Sequence, residues 1–264
     1  MSITSMVAVW DGTEGSAERF DAVIALASQQ DAHLTVLAFE LDPSYPPTVY
    51  GGGVAGVYAG LIEAAQARLA ESVAAVTDKL QDSGLRFDVH ELFCFYDHVG
   101  QEVCKLARFA DLVVMTDPKD QPLQETRTRI LETVLFSGEA PVLIIPGGWS
   151  ESIGKTIQIA WNGSAEAMRA VRGAMQLIRD AGKVEIVTVD MPAAEVMGSE
   201  LAVFLDRHAV DAQITQLDSD GRRVAEVLNT YATAASCDLV VMGAYGRSRL
   251  REFLMGGATH DMLG

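Results

Sequence analysis

An internal duplication is the strongest constraint this chain places on its own fold. Asp111-Leu112-Val113-Val114-Met115 recurs letter for letter as Asp238-Leu239-Val240-Val241-Met242. Val9-Trp10-Asp11-Gly12 returns as Ala160-Trp161-Asn162-Gly163, and Gly15-Ser16-Ala17-Glu18 as Gly163-Ser164-Ala165-Glu166. One pattern must therefore fold twice. The 264 residues divide near residue 150 into two units of ordinary domain size, each long enough to bury a core without disulfides. The copies differ in their glycines. Met242 is followed by Gly243-Ala244-Tyr245-Gly246, nine residues, and Gly256-Gly257-Ala258-Thr259; after Met115 comes Thr116-Asp117-Pro118-Lys119-Asp120, with no glycine until Gly138. A duplicated unit with one glycine-rich half predicts that one half binds a ligand and the other is largely scaffold.

Short apolar runs ended by turn residues predict strands at 6–10, 34–39, 87–93, 112–115 and 141–146. Stripes at helical spacing predict helices at 16–30, 61–81, 99–109 and 128–136. The second unit repeats the alternation, with strands at 157–161, 184–189, 211–216 and 239–242 and helices at 165–180, 197–208, 222–235 and 258–263. Strand and helix in strict alternation predict an α/β fold, a parallel sheet covered on both faces. Aligning Leu135 with Leu263 puts the counterpart of the 141–146 strand just past Gly264, so the last strand of the second unit is expected to be missing from this sequence. Either the chain is truncated or a neighbouring chain supplies that strand. The connection Asp42–Gly60 is long for a compact α/β unit and is either a flap over a site or a surface loop.

A net charge of −16 excludes a general nucleic-acid or anionic-membrane surface, which needs a cationic face. Arg247, Arg249 and Arg251 nevertheless gather beside the second glycine segment. Cys94, Cys104 and Cys237 are too few, and odd in number, for a disulfide framework. The N-terminus has no signal-peptide pattern, and no segment nears the ~20 apolar residues needed to span a bilayer. A soluble, cytoplasmic protein is expected.

Several motifs fail on context. Gly51-Gly52-Gly53-Val54-Ala55-Gly56 fits G-x-G-x-x-G but follows the second strand after a Pro-rich loop, whereas a dinucleotide fingerprint leaves the first strand directly. Gly148 to Gly154-Lys155-Thr156 has five intervening residues where a P-loop has four, and it precedes a strand, so it reads as the linker. His90, Cys94 and His98 are spaced four apart, which on an extended chain would align them for zinc. However, Tyr96-Asp97-His98 reads as a turn, and no fourth ligand is evident. No nucleophile elbow, zinc-protease helix or acid/base pair is recognisable.

The glycine segment has coherent physics. Gly243 and Gly246 fall at the carboxyl end of the fourth strand, where ligands enter open α/β sheets. Without a Cβ, their backbone N–H groups can approach phosphate oxygens. Gly256-Gly257-Ala258-Thr259 opens the next helix, whose free N–H groups and dipole favour an anion.

With these residues the sequence resembles the universal stress protein family in its tandem two-domain form. Both units carry the strand ending in Asp/Asn-Gly and the Asp-Leu-Val-Val-Met strand, and the second carries the G-2x-G-9x-G signature at Gly243, Gly246 and Gly256. The resemblance implies two tandem doubly wound, five-stranded parallel sheets, Rossmann-like and similar to the adenine nucleotide alpha hydrolases. Residues 1–148 would form a domain with a degenerate nucleotide loop, and 153–264 a domain with the glycine-rich one. It further implies ATP or AMP in the second domain, with Mg²⁺ as a companion of ATP. Asn162 takes the place of the family's acidic residue against the adenine, Val189 packs on the base, and Met242 and Gly243 line it. Gly246, Gly256, Gly257, Ala258 and Thr259 hold the phosphates.

Two residues depart from the pattern. Asn162 exchanges a carboxylate for an amide, whose oxygen can still accept from the exocyclic amine. Gly257 replaces a Ser or Thr, so phosphate binding is expected to weaken by ~1 kcal/mol. In the first unit Asp117 would repel phosphate and Pro118 lacks a donor. The implied role is a nucleotide-sensing regulatory module in stress physiology, with a regulatory protein of unknown identity as partner. A nucleotide-free interaction scaffold and a slow ATPase are the alternatives. Pairing of the two units within the chain would mimic a dimer of single-domain relatives, which leaves monomer and homodimer open.

Overall fold

The computed structural model describes residues 2–13, 16–43, 55–116, 123–146, 149, 153–191 and 197–244. The chain separates into two compact units, Ser2–Glu151 and Ser152–Gly264.

In the first unit, β1 (Ser5–Trp10), β2 (His33–Leu41), β3 (Phe87–Cys94), β4 (Leu112–Thr116) and β5 (Val142–Ile145) form one sheet in the order β3-β2-β1-β4-β5. All neighbours are parallel. Helices α1 (Ser16–Gln29), α2 (Ala55–Gln81), α3 (Val99–Ala107) and α4 (Gln124–Ser137) connect them. A parallel sheet is buried on both faces, and so its central strands are apolar at successive positions rather than at alternate ones. Met6, Val7 and Ala8 of β1, Leu34 and Val36 of β2 and Val113 of β4 are accordingly all buried. Chain order reverses between β1 and β4, which leaves a crevice at their carboxyl ends, the usual ligand position in such sheets.

The second unit repeats the plan with β6 (Thr156–Ala160), β7 (Lys183–Val189), β8 (Ala212–Leu217) and β9 (Leu239–Met242), ordered β8-β7-β6-β9 and all parallel. Among the described residues it has no counterpart of β5. Its helices are α5 (Ala165–Gly173), α6 (Met175–Asp180), α7 (Met197–Asp206) and α8 (Val224–Ala234). The registers match: Ser5 pairs with His33 as Thr156 pairs with Lys183. Residue for residue, β1 is thus the twin of β6 and β2 of β7.

Two predicted elements differ. The helix expected over 165–180 is broken at Ala174, whose φ of −89° and ψ of 2° leave the helical basin. Gly173, a poor helix former, lies at the break. The long connection is shortened because α2 begins at Ala55. The Gly51-Gly52-Gly53 run and the helix predicted over 258–263 lie outside the described residues.

The duplicated pentapeptide has a structural reason. Asp111 Oδ2 accepts from the backbone N–H groups of Thr4 (2.8 Å) and Ser5 (3.0 Å) and from the Thr4 hydroxyl (2.9 Å). Asp238 accepts from the N–H groups of Gly154 (3.2 Å), Lys155 (2.8 Å) and Thr156 (3.0 Å). Each carboxylate ties the entry of one central strand to the entry of its neighbour.

Candidate functional site

At the carboxyl ends of β6, β7 and β9 lies a shallow crevice, open to solvent among the described residues and roofed by the first turns of α8. Its walls follow from strand alternation. Ala160 faces the α8 side two residues after Gln158, and Val187 and Val189 do so along β7. Val224 and Leu228, one turn apart on α8, close the slot from above. Trp161, Asn162, Met242 and Gly243 complete the rim.

Four of the predicted site residues, Asn162, Val189, Met242 and Gly243, are brought together here. The other five, Gly246, Gly256, Gly257, Ala258 and Thr259, lie outside the described residues, as do Arg247, Arg249 and Arg251. Ala160, Trp161, Val187, Val224 and Leu228 were not singled out. The signal for them was the apolar parity of strand ends next to a switch point, and the i, i+4 pair that opens α8.

Asn162 is exposed, and two hydrogen bonds tie its loop to the start of α5. Its Oδ1 accepts from Ser164 N–H (3.1 Å), and the Ser164 hydroxyl caps α5 by accepting from Ala167 N–H (3.1 Å). An amide oxygen has two lone pairs and the amide nitrogen two N–H donors, so this turn does not exhaust the hydrogen-bonding capacity of Asn162. Gly243 also packs closely against α5, a constraint separate from the ligand contact expected of it. A Cβ there would lie 2.5 Å from Ala167 N and 2.8 Å from Glu166 C, inside the first turn of α5.

Beneath the crevice a polar group anchors α8. The Glu185 carboxylate is buried and accepts from Tyr231 of α8 and from Lys183, and the Tyr231 hydroxyl lies 3.1 Å from Thr215 Oγ1. Burial pushes the Glu185 carboxyl up, but the bonds from Lys183 and Tyr231 outweigh it and hold the group below its ordinary value. Gln158 Nε2 donates to Leu228 O (3.4 Å) from the same sheet face.

The first unit treats the same place differently. Asp11, twin of Asn162, is sequestered: Arg127 Nε of α4 donates to its Oδ2 at 2.6 Å, and the exposures of the two side chains are 4% for Arg127 and 8% for Asp11. Arg127 Nη2 also donates to Thr13 Oγ1 (3.0 Å), while Thr13 gives its N–H (3.1 Å) and hydroxyl (2.7 Å) to Asp11 Oδ1. Trp10, twin of Trp161, is buried, with its indole N–H on Ser72 Oγ at 2.9 Å. No sequence signal pointed to Arg127.

His90, Cys94 and His98 do not converge. The strand β3 stops at Cys94, His98 stands at the N-cap position of α3 with no side-chain capping bond, and His90 Nε2 instead meets Asp88 at 2.7 Å. The Cys94 thiol is pushed up to about 11, first by burial and then by the nearby Glu102 and Asp97 carboxylates. Among the described residues no group of His, Cys, Asp or Glu could hold a metal ion, and no helix is long and apolar enough to cross a membrane.

The family model described as "Universal stress protein family" matches residues 154–264, the whole crevice-bearing half. The second unit belongs to the universal stress protein family. The likeness in fold covers both halves. A universal stress protein from Archaeoglobus fulgidus, 13% identical, covers 91% of this chain and 86% of its own with a TM-score of 0.67. A Pseudomonas aeruginosa protein assigned to the universal stress proteins, 16% identical, covers 99% and 90% with a TM-score of 0.57. At these identities the likeness is one of fold: the chain is a tandem of two universal-stress-protein folds. No curated protein matches the sequence.

Proposed function

We propose that the second unit binds an adenine nucleotide, ATP or AMP, and that the chain acts as a nucleotide-sensing module of the stress response. The observation that carries this reading is the crevice itself. Its apolar walls, Ala160, Val187, Val189, Val224 and Leu228, suit the faces of a flat heteroaromatic ring, and Asn162 stands exposed at the rim. Such a slot with few polar groups at its edge is the usual form of a small-molecule site. Asn162 Oδ1 would accept from the exocyclic amine of adenine. The phosphates would run toward the glycine segment that begins at Gly243, with Mg²⁺ accompanying a triphosphate.

On this reading residues 153–264 form the binding domain and residues 1–148 a domain whose own loop, with Asp117 and Pro118, takes no triphosphate. A protein partner would respond to occupancy, and the cytoplasm is where nucleotide and partner would be met. Isothermal titration calorimetry of the full chain with ATP, AMP and adenosine tests the proposal. Saturable binding that Asn162→Ala weakens supports it; no heat with any of the three at millimolar concentration defeats it.

A further inference from the structure

The first unit has kept the acceptor of its crevice and filled the space in front of it. We propose that Arg127 is a built-in occupant of that crevice, the residue that confines ligand uptake to the second unit. The inference rests on the adenine-nucleotide reading above and assigns the other half of the chain its state.

Strand registers place Asp11 at Asn162, Phe39 at Val189 and Met115 at Met242. Asn162 is exposed, whereas the Asp11 side chain is 8% exposed. Phe39 is 2% exposed, where Val189 remains half-buried. The start of α3 is closed in the same way: Val99 and Val103 are fully buried, against 36% exposure for Val224 at the start of α8.

The chemistry explains why a ligand would not displace the arginine. A guanidinium is flat and offers a row of N–H donors, the same kind of donor that an aminopurine would present to a carboxylate. Arg127 satisfies Asp11 Oδ2 from within the chain, and Thr13 satisfies Oδ1 twice. A neutral base that took its place would strand a buried cation, and breaking a buried pair is far more unfavourable than a single hydrogen bond is favourable. At the aligned sequence positions the second unit carries neither half of this pair. Asn162 is neutral, and the alignment of Leu135 with Leu263 sets Met255 opposite Arg127.

The double variant Asp11→Asn/Arg127→Met gives the first unit the second unit's own residues and leaves no lone buried charge. Arg127→Gln is a second variant that keeps an N–H donor without the charge. Equilibrium dialysis of the full chains with adenosine, which needs no phosphate cradle, reads the stoichiometry, and near-ultraviolet circular dichroism confirms the native fold. The expected result is one adenosine per wild-type chain and two per double variant. A folded variant that binds no more than the wild type overturns the proposal, as does a wild type that already binds two. If the wild type binds none and the variant binds one, the role of Arg127 stands and the nucleotide reading of the second unit fails.

Discussion

Asp111 and Asp238 perform one task in two sheets: each carboxylate gathers the first backbone N–H groups of the central strand beside it. Asp111 does so at 2.8 and 3.0 Å, and Asp238 at 2.8 to 3.2 Å. The repeated pentapeptide thus preserves a latch at the amino end of the sheet, opposite the crevice. Burial pushes the Asp111 carboxyl up, but the donors of Thr4 and Ser5 outweigh it, and the group lies below its ordinary value. A carboxyl depressed in the folded state stabilises fully above its unfolded pKa of about 4 and ceases to do so as pH falls through the folded value. Asp111→Asn should therefore lower stability at pH 7 by ~1–3 kcal/mol. The deficit should shrink toward pH 3, read from urea unfolding at both pH values.

Gly243→Ala should destabilise the second unit, because the new methyl group meets α5 backbone at 2.5 Å and backbone cannot rotate aside. A loss of ~1–3 kcal/mol is expected for overpacking of this kind. Hydrogen exchange should locate the loosening at β9 and the first turn of α5. Adenosine affinity should fall with it, since Met242 at the end of β9 and Gly243 itself line the slot.

Arg127→Ala leaves Asp11 buried opposite an apolar gap, and a loss of ~3–5 kcal/mol is expected from breaking a buried pair on one side. Asp11→Asn/Arg127→Met should be far less damaging than the sum of its parts, which a double-mutant cycle in urea measures.

Asn162→Ala should weaken adenosine binding by ~1 kcal/mol, about fivefold, as a single neutral hydrogen bond is lost. Asn162→Asp should retain or improve it, since a carboxylate is the stronger acceptor for an amine. Calorimetry with both variants separates recognition of the base from simple filling of the slot.

The sheets were legible because buried parallel strands such as Met6–Trp10 and Leu239–Met242 are apolar runs bounded by turn residues, a local signal. The break at Ala174 was not, because the residues on either side of it share one uninterrupted helical stripe. Asn162, Val189, Met242 and Gly243 came from the family resemblance, and what the sequence itself showed was that each lies at or just past the carboxyl end of a strand. Val224 and Leu228 lie in the helix predicted over 222–235, where nothing in the sequence sets them apart. Arg127 was out of reach for another reason. A cation in a helix normally reads as solvated, and its partner Asp11 is 116 residues away. Gly243 was singled out from sequence for its reach toward phosphate, and its packing against α5 became visible only in three dimensions.

The Asp11–Arg127 pair also divides the thermodynamics of the chain. A half that carries its own counter-ion melts at a temperature indifferent to solute concentration, whereas a half that accepts a free solute gains stability as RT ln(1 + [L]/Kd). In a scanning calorimeter, added adenosine would move one transition and leave the other fixed as an internal reference, so that the gap between them reports affinity without a label.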